Sequence, residues 1–543
     1  MTVDDVARPE GEVATTPSSR IGALWQRLDR HSLRPFWLVV GALLVAELVT
    51  LFVYSAYLFH HFDLTDDFAT YAQSWSQIAH GHLDPVDTVN APASPFWQLH
   101  FELAMWPIAL VLGHLWSSPL VLLWLQDLAL VAAQAIAIVW IASVCRTNLP
   151  KGAAVATWIG GLAVVTNPWW YETASFDVHF ETLGLPLVVL CGYSLWSGRG
   201  RVAVVAAIAA VAFGDVAAIL VACVGIAALL SPRVWRSGGT RVAVAVCVLG
   251  VFWVGLAIAL DANQGSGIVT NYGYLAGLGP HASASKVLTH LLEHPGHALH
   301  TLVHRRAGIG RVLGDAGIVG ILTPWGLLIS IGTLVPAALN VNQQYLAPIT
   351  AFQTLAAVPF VLVGTAIVVT RMTGLALTLA RDPDPSTERR RRRVPPWVAG
   401  SVALTAVAGV LAVVYVQNVP LISQLRADWW RVDARAAQTL ARALDKVPGQ
   451  AEVVAAQGVI GRFAERGGVY PFVVSPQAFP VTASTVDVVF APGEGIEPVI
   501  APVQQRDRDA LAASPGARVV VQRGPITVVQ LRGLEQGTRF VIP

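Results

Sequence analysis

The chain has 543 residues, of which 54% are hydrophobic and only 13% charged, and its mean hydropathy is positive. These values exclude a soluble globular protein and mark an integral membrane protein. A net charge of +2, from 36 basic and 34 acidic residues, is too balanced for a nucleic-acid partner, so the placement of charge matters more than its sum.

Residues 1–35 are polar, carry Arg20, Arg27, Arg30 and Arg34, and lack an early apolar core with a small-residue cleavage site. They read as a basic, disordered cytoplasmic N-terminus ahead of an uncleaved signal anchor. A membrane crossing takes about 20 apolar residues over roughly 30 Å of hydrocarbon. The clear candidates are 36–58, 119–144, 152–168, 181–197, 241–260, 347–371 and 396–417. The run 201–231 is too long for one span and contains "FGDVA", which predicts two short helices meeting near Gly214 and Asp215. Residues 308–339 carry "TPWG" at their centre and predict a weak span, 308–322, before a stronger one, 325–339. "LHFELAMWPIALVLGHLW", 99–116, reads as a helix lying in the outer interface.

Five consecutive arginines, Arg389 to Arg393, stand in the loop 372–395. The positive-inside rule places that loop in the cytoplasm together with the N-terminus. The resulting parity gives ten crossings before the loop and about 11 transmembrane helices in all. The predicted fold class is therefore an all-α polytopic membrane protein, 36–423, with a first outer loop at 59–118 and a small C-terminal α/β extracytoplasmic domain at 424–543. Within that tail the sequence predicts an amphipathic helix 429–446, an apolar run "AEVVAA", a helix around "GVIGRFAER" and strands at "VYPFVV" and "VDVVFA". A helix near 503–514 and a hairpin in "ARVVVQRGPITVVQLR" follow; the length suffices for a core of its own. Cys145, Cys191, Cys223 and Cys247 fall in or beside apolar runs, so disulfides are not part of the design.

The unusual polar residues collect at the outer ends of the predicted spans. Asp63, Asp66 and Asp67 lie in the first outer loop, His100 and Glu102 beside the interface helix, and Asp177, His179 and Glu181 in "FDVHFE". Asp215 and the stretch from Asn342 to Tyr345 fall at the same level, as do all histidines except His31. Ionisable groups at membrane depth are costly, so their recurrence at one level suggests a shared polar cavity; loop polarity is the competing explanation. Capping of a helix entrance suits Asp177 but does not account for His179 and Glu181. A carboxylate at Asp215 would take up a proton unless a cation or ligand partners it. His290, His294, His297, His300 and His304 share one helical face in a spacing that suits zinc. Pro295 interrupts that helix and only Glu293 is near, so a wet interfacial face is the preferred reading, with a divalent metal left open.

"FDLTDDFATYAQSWSQIAHGH", "SPFWQLHFELAMWPIALV", "FDVHFETLGLPLVVLCGYSLW" and "FGDVAAILVACVGIAALL" occur in that order and resemble the bacterial membrane family called domain of unknown function 2079. The resemblance covers residues 35 to 420, and "QGVIGRFAERGGVYPF" resembles that family's outer tail. Two departures stand out: Phe180 replaces the usual proline, and no acidic residue precedes Asp215. The family is similar to the GT-C glycosyltransferases, which take a sugar from a polyprenyl-phosphate donor at the non-cytoplasmic face. The resemblance thus implies a GT-C-like fold, a polyprenyl-phosphate-linked sugar donor and a glycan, lipid or protein acceptor. It implies a catalytic base among Asp67, Asp63 and Asp66, with Asp67 first. His100, His179, Arg305 and Arg306 are the candidates to meet a leaving phosphate, and Tyr345 to line the cavity. A transporter or flippase of a lipid-linked or small polar solute remains an alternative reading, as does a non-enzymatic envelope assembly protein. The first would favour paired broken helices in two related halves, and no internal repeat is visible.

Overall fold

The computed structural model describes residues 33–90, 93–116, 118–149, 152–261, 267–277, 284–342, 346, 348–379, 434–472, 477–491 and 501–542. The basic N-terminus up to residue 32, the arginine run and the predicted span 396–417 lie outside the described residues. Helix α1 (Leu33–His60) is followed by α2 (Asp66–Ala79), α3 (Met105–Leu115) and α4 (Leu120–Asn148). Then come α5 (Ala153–Val165), α6 (Pro168–Ala174), α7 (Phe180–Trp196), α8 (Gly200–Val211), α9 (Asp215–Leu229) and α10 (Thr240–Asp261). The helices α11 (Ala284–Glu293), α12 (Pro295–His304), α13 (Arg306–Asp315), α14 (Pro324–Leu339) and α15 (Ala357–Leu379) complete the described part of the bundle.

Among the described residues four helices are long and apolar enough to cross a membrane: Leu33–His60, Leu120–Asn148, Thr240–Leu260 and Ala357–Leu375. The break expected in 201–231 is real. Gly214, at φ 119°, separates α8 from α9, and a Cβ there would meet Glu102 Cγ at 3.2 Å, so this turn needs glycine both for its backbone and for the approach of Glu102. The weak span at 308–322 is not continuous: α13 ends at Asp315, and a 3-10 turn, Ile318–Leu322, takes over. Glycine causes this locally. Gly317 adopts φ 78°, and Gly320 lies so close to α15 that a Cβ would meet Val361 O at 2.0 Å.

Two polar pairs tie α1 to α4 within their apolar lengths. Gln134 Nε2 donates to Glu47 Oε1 at 2.5 Å, and Ser55 Oγ donates to Asp127 Oδ2 at 2.8 Å. All four side chains are buried, where hydrogen bonding across helices holds the pair together.

The tail adds α16 (Ala434–Lys446) and α17 (Ala501–Ala512) and the strands β1 (Glu452–Ala456), β2 (Gly468–Phe472), β3 (Gln477–Pro480), β4 (Thr485–Phe490), β5 (Ala517–Arg523), β6 (Ile526–Arg532) and β7 (Arg539–Ile542). Five of them form a sheet in the order β2-β1-β4-β6-β5. Its β1 runs parallel to β2 and β4, whereas β6 is antiparallel to β4 and β5. Pro471 stands in the edge strand β2, where a missing donor is tolerated. The expected helix at "GVIGRFAER" is only a 3-10 turn, Ile460–Phe463. Gly461 within it packs closely on the segment after α1: a Cβ would lie 2.9 Å from Leu64 Cβ and Phe68 Cδ1.

That contact also revises the expectation of an independent core. Alternate residues of β1 serve two cores, as the period of two requires: Val454 joins a cluster internal to the tail, whereas Val453 and Ala455 join one that includes Phe62, Leu64, Phe68 and Trp75 of the segment after α1. Phe62 itself is buried in the left-handed region, at φ 61°, a conformation that costs a bulky residue about 1–3 kcal/mol. The Arg462 guanidinium 5.1 Å above its ring and Phe463 at 6.0 Å enclose it, so the tail holds the turn it rests on.

Candidate functional site

Where α1 gives way to α2, the chain reverses through His61–Thr65 and places Asp66 and Asp67 in the first turn of α2. Negative charge is favourable there because the exposed amides and the helix dipole point at it. Thr65 provides no side-chain cap of its own. The cap comes from the loop before α7: Asp177 Oδ2 accepts from Thr65 N at 2.8 Å, from Thr65 Oγ1 and from Phe68 N at 3.1 Å. Burial pushes the Asp177 carboxyl up to about 7, against the hydrogen bond from Thr65 that favours its charged form. Gln126, in α4, fixes the same loop by donating to Asp177 O at 3.2 Å and accepting from His179 N at 3.0 Å.

These contacts bring His179 to Asp67. His179 Nε2 lies 3.5 Å from Asp67 Oδ2, while Nδ1 lies 3.1 Å from Asp177 O, a carbonyl that can only accept; the proton therefore belongs on Nδ1 in the neutral ring. The imidazole stacks on Phe352 with centroids 3.4 Å apart. Burial pushes its pKa down, but the Asp67 and Glu181 carboxylates outweigh this and leave it raised. Burial likewise pushes Asp67 up, and the contact with His179 and the charge of His100 outweigh it, so Asp67 is held below its ordinary value. Its neighbour goes the other way. Burial and the Asp67 charge lift Asp66 to about 6, although Gln457 donates to it, with Nε2 2.6 Å from Oδ2.

One turn along α2, Tyr71 donates to Glu102 Oε1 at 3.1 Å. His100 Nδ1 lies 3.8 Å from the same oxygen. Burial opposes protonation of His100, but Glu102, followed by Asp87 and Asp67, lifts it to about 9; it is an imidazolium at neutral pH. Together these groups line a cavity of about 340 Å³, within the usual range of small-molecule sites.

Of the residues singled out from the sequence, Asp66, Asp67, His100, Glu102, His179, Glu181 and Asp215 line this cavity. Asp177 does not; it holds the helix that carries Asp66 and Asp67. Asp63 is in the turn beneath, its amide donating to Leu58 O at 3.0 Å, and is not among the lining residues. Tyr345 lies outside the described residues. Arg305 donates to Ala338 O at 2.8 Å and Arg306 to Val303 O at 3.1 Å, and neither lines the cavity. Tyr71, Phe352 and Gln457 are lining residues that sequence reading did not single out, although the quoted motifs "FDLTDDFATYAQSWSQIAHGH" and "QGVIGRFAERGGVYPF" contain Tyr71 and Gln457. Among the described residues no group of three or more His, Cys, Asp or Glu side chains could hold a metal ion, in the cavity or in the 290–304 histidine segment.

The chain belongs to the family described as predicted membrane protein (DUF2079), which matches residues 60–513. Among solved structures it is similar to ArnT from Cupriavidus metallidurans bound to undecaprenyl phosphate, at 15% identity and a TM-score of 0.43, covering 91% of this chain and 98% of that one. The apo state of ArnT gives 14% identity and a TM-score of 0.38, covering 89% and 97%. No curated protein matches the chain.

Proposed function

We propose that this chain is a membrane glycosyltransferase that moves a sugar from a polyprenyl-phosphate donor to a glycan, lipid or protein acceptor at the outer face, with Asp67 as general base. In this reading the N-terminus is cytoplasmic, about eleven helices cross the membrane and the α/β tail is extracytoplasmic. The observation that carries it is the Asp67–His179 pair: a carboxylate favoured in its ionised form by the protonated ring of His179, whose Nε2 lies 3.5 Å away, with half of the Asp67 side-chain surface exposed.

Asp67 takes the proton of an acceptor hydroxyl as that oxygen bonds to the anomeric carbon, and the bond from that carbon to the phosphate oxygen breaks with its electron pair leaving on phosphate. Proton transfer requires the carboxylate within hydrogen-bond reach of the hydroxyl, which its place on the cavity wall allows. His179 keeps the carboxylate charged and oriented. The His100 imidazolium is the cation best placed to meet the departing phosphate, where charge develops in the transition state. Asp66, raised to about 6, is by that measure the stronger proton acceptor of the two, but its Oδ2 is occupied by Gln457 Nε2 at 2.6 Å, so the reading gives it the recognition of substrate hydroxyls and leaves the proton transfer to Asp67.

The test is transfer of label from radiolabelled polyprenyl-phosphate sugars by membranes containing wild type, Asp67→Asn or Asp63→Asn at equal expression. The reading expects transfer by wild type and Asp63→Asn and its collapse in Asp67→Asn. Transfer untouched by Asp67→Asn would remove the base from its assigned position.

A further inference from the structure

The segment 284–306 takes no part in the cavity, yet it is unlike a solvated loop. Helices α11 and α12 have ten residues each, about 15 Å of length, half of what a bilayer crossing requires. Each nevertheless exposes an apolar pair at helical spacing: Leu288 is 42% and Leu292 83% exposed on α11, and Leu299 is 63% and Val303 51% exposed on α12. A transmembrane path cannot account for these side chains, because neither helix is long enough to make one. Their inner faces are already occupied. Val287 is fully buried, and Leu302 packs against Ala337, Ala338 and Leu346.

The position of the segment is fixed at the cavity end of the bundle. Arg305 donates to Ala338 O and Asn340 O at the end of α14, and Asn342, two residues further on, lines the cavity. His297 Nδ1 lies 3.0 Å from Leu275 O, which ties α12 to the 3-10 turn Gly273–Ala276. The charge is one-sided: within the segment Lys286, Arg305 and Arg306 are set against Glu293. A short amphipathic helix with exposed leucines and basic flanks is the chemistry that lies in a headgroup layer, its apolar face among the upper acyl carbons and its cations among lipid phosphates.

We propose that residues 284–306 form a pair of short interfacial helices that docks on the anionic phospholipid surface of the bilayer at the rim of the cavity, through Leu288, Leu292, Leu299 and Val303. The inference does not depend on the reaction assigned to the cavity.

Hydrogen exchange of the full-length wild-type protein tests it in neutral detergent, in nanodiscs of phosphatidylcholine, and in nanodiscs of an equal mixture of phosphatidylcholine and phosphatidylglycerol. The expected result is exchange of the 284–304 amides about tenfold slower in the anionic discs than in the other two, with the β5–β6 hairpin unchanged. Leu292→Asp combined with Leu299→Asp abolishes that difference. Equal exchange in the two disc compositions overturns the proposal, as does protection that survives the double substitution. Protection already present in detergent, with a doubled particle mass, would assign the face to a second copy of the chain and overturn it as well.

Discussion

Two sets of histidines in this protein differ in everything but residue type. His290 and His294 stack at 4.5 Å and His300 and His304 lie at 4.4 Å, all four on a surface segment without a carboxylate partner set. His100 and His179 are only two, far apart in sequence, yet each faces a carboxylate in a cavity, Glu102 at 3.8 Å and Asp67 at 3.5 Å. Density of imidazoles marks a helix face; burial beside an acid is what changes the chemistry of the ring.

The largest effect expected at the cavity is that of Asp67→Asn. General-base catalysis contributes about 10²–10⁴-fold, so sugar transfer should fall by at least the lower figure in the radiolabel assay. A smaller loss would put the two histidine regions on a more equal footing than the geometry does.

His179→Asn should lower transfer less and shift its pH profile. With His179 present, Asp67 ionises below its ordinary value, so activity that needs the carboxylate survives as pH falls to that lowered value. Without it, burial dominates and raises the Asp67 pKa. The acid limb of the profile should therefore move to higher pH, and an unmoved limb would separate His179 from the base.

Asp177 acts on the same region through structure. Asp177→Ala leaves the amides of Thr65 and Phe68 without their acceptor, at a cost of about 1–3 kcal/mol, read as a lowered Tm in detergent. Because the folded protein raises this carboxyl from 3.8 to about 7, the native state binds the proton more tightly. Its stabilising contribution is complete below 3.8 and is lost as pH rises through about 7. Asp177→Asn keeps an acceptor and removes the titration, so its Tm should decline less than wild type between pH 5 and pH 8.

Gln457→Ala breaks the 2.6 Å bond to Asp66, worth about 1.5–3 kcal/mol to a charged partner, and should raise KM for the sugar donor with little change in kcat. Replacing His290, His294, His300 and His304 together by Gln should matter least. Surface changes of this kind stay within about 0.5 kcal/mol in stability, and transfer should be unaltered. A collapse of transfer in this variant would erase the contrast between the two regions.

Much of the helical scaffold was legible beforehand. The spans expected at 36–58, 119–144 and 241–260 became Leu33–His60, Leu120–Asn148 and Thr240–Asp261, and "FGDVA" broke its run at Gly214 as expected. The weak span before "TPWG" failed because close approach of Gly320 to α15, which depends on a distant partner, decided its conformation. The site was legible as a level: seven acidic and histidine residues expected at the outer ends of spans do line one cavity. Their roles within it were less legible: capping was expected of Asp177 at the entrance of the helix that follows it, whereas it caps the distant α2.

Apolar run length, glycine placement and strand alternation act over a few residues, so the sequence alone determined a helical membrane protein with an α/β tail and a polar end. Which groups meet there was decided by tertiary structure. Asp177 caps a helix through residues 109 and 112 positions earlier, and Gln457 reaches Asp66 across 391 positions. Such pairs leave no local signature, because they arise only when the helices and the sheet of the tail have closed over residues 61–68 and excluded enough water for one carboxylate to tune the next.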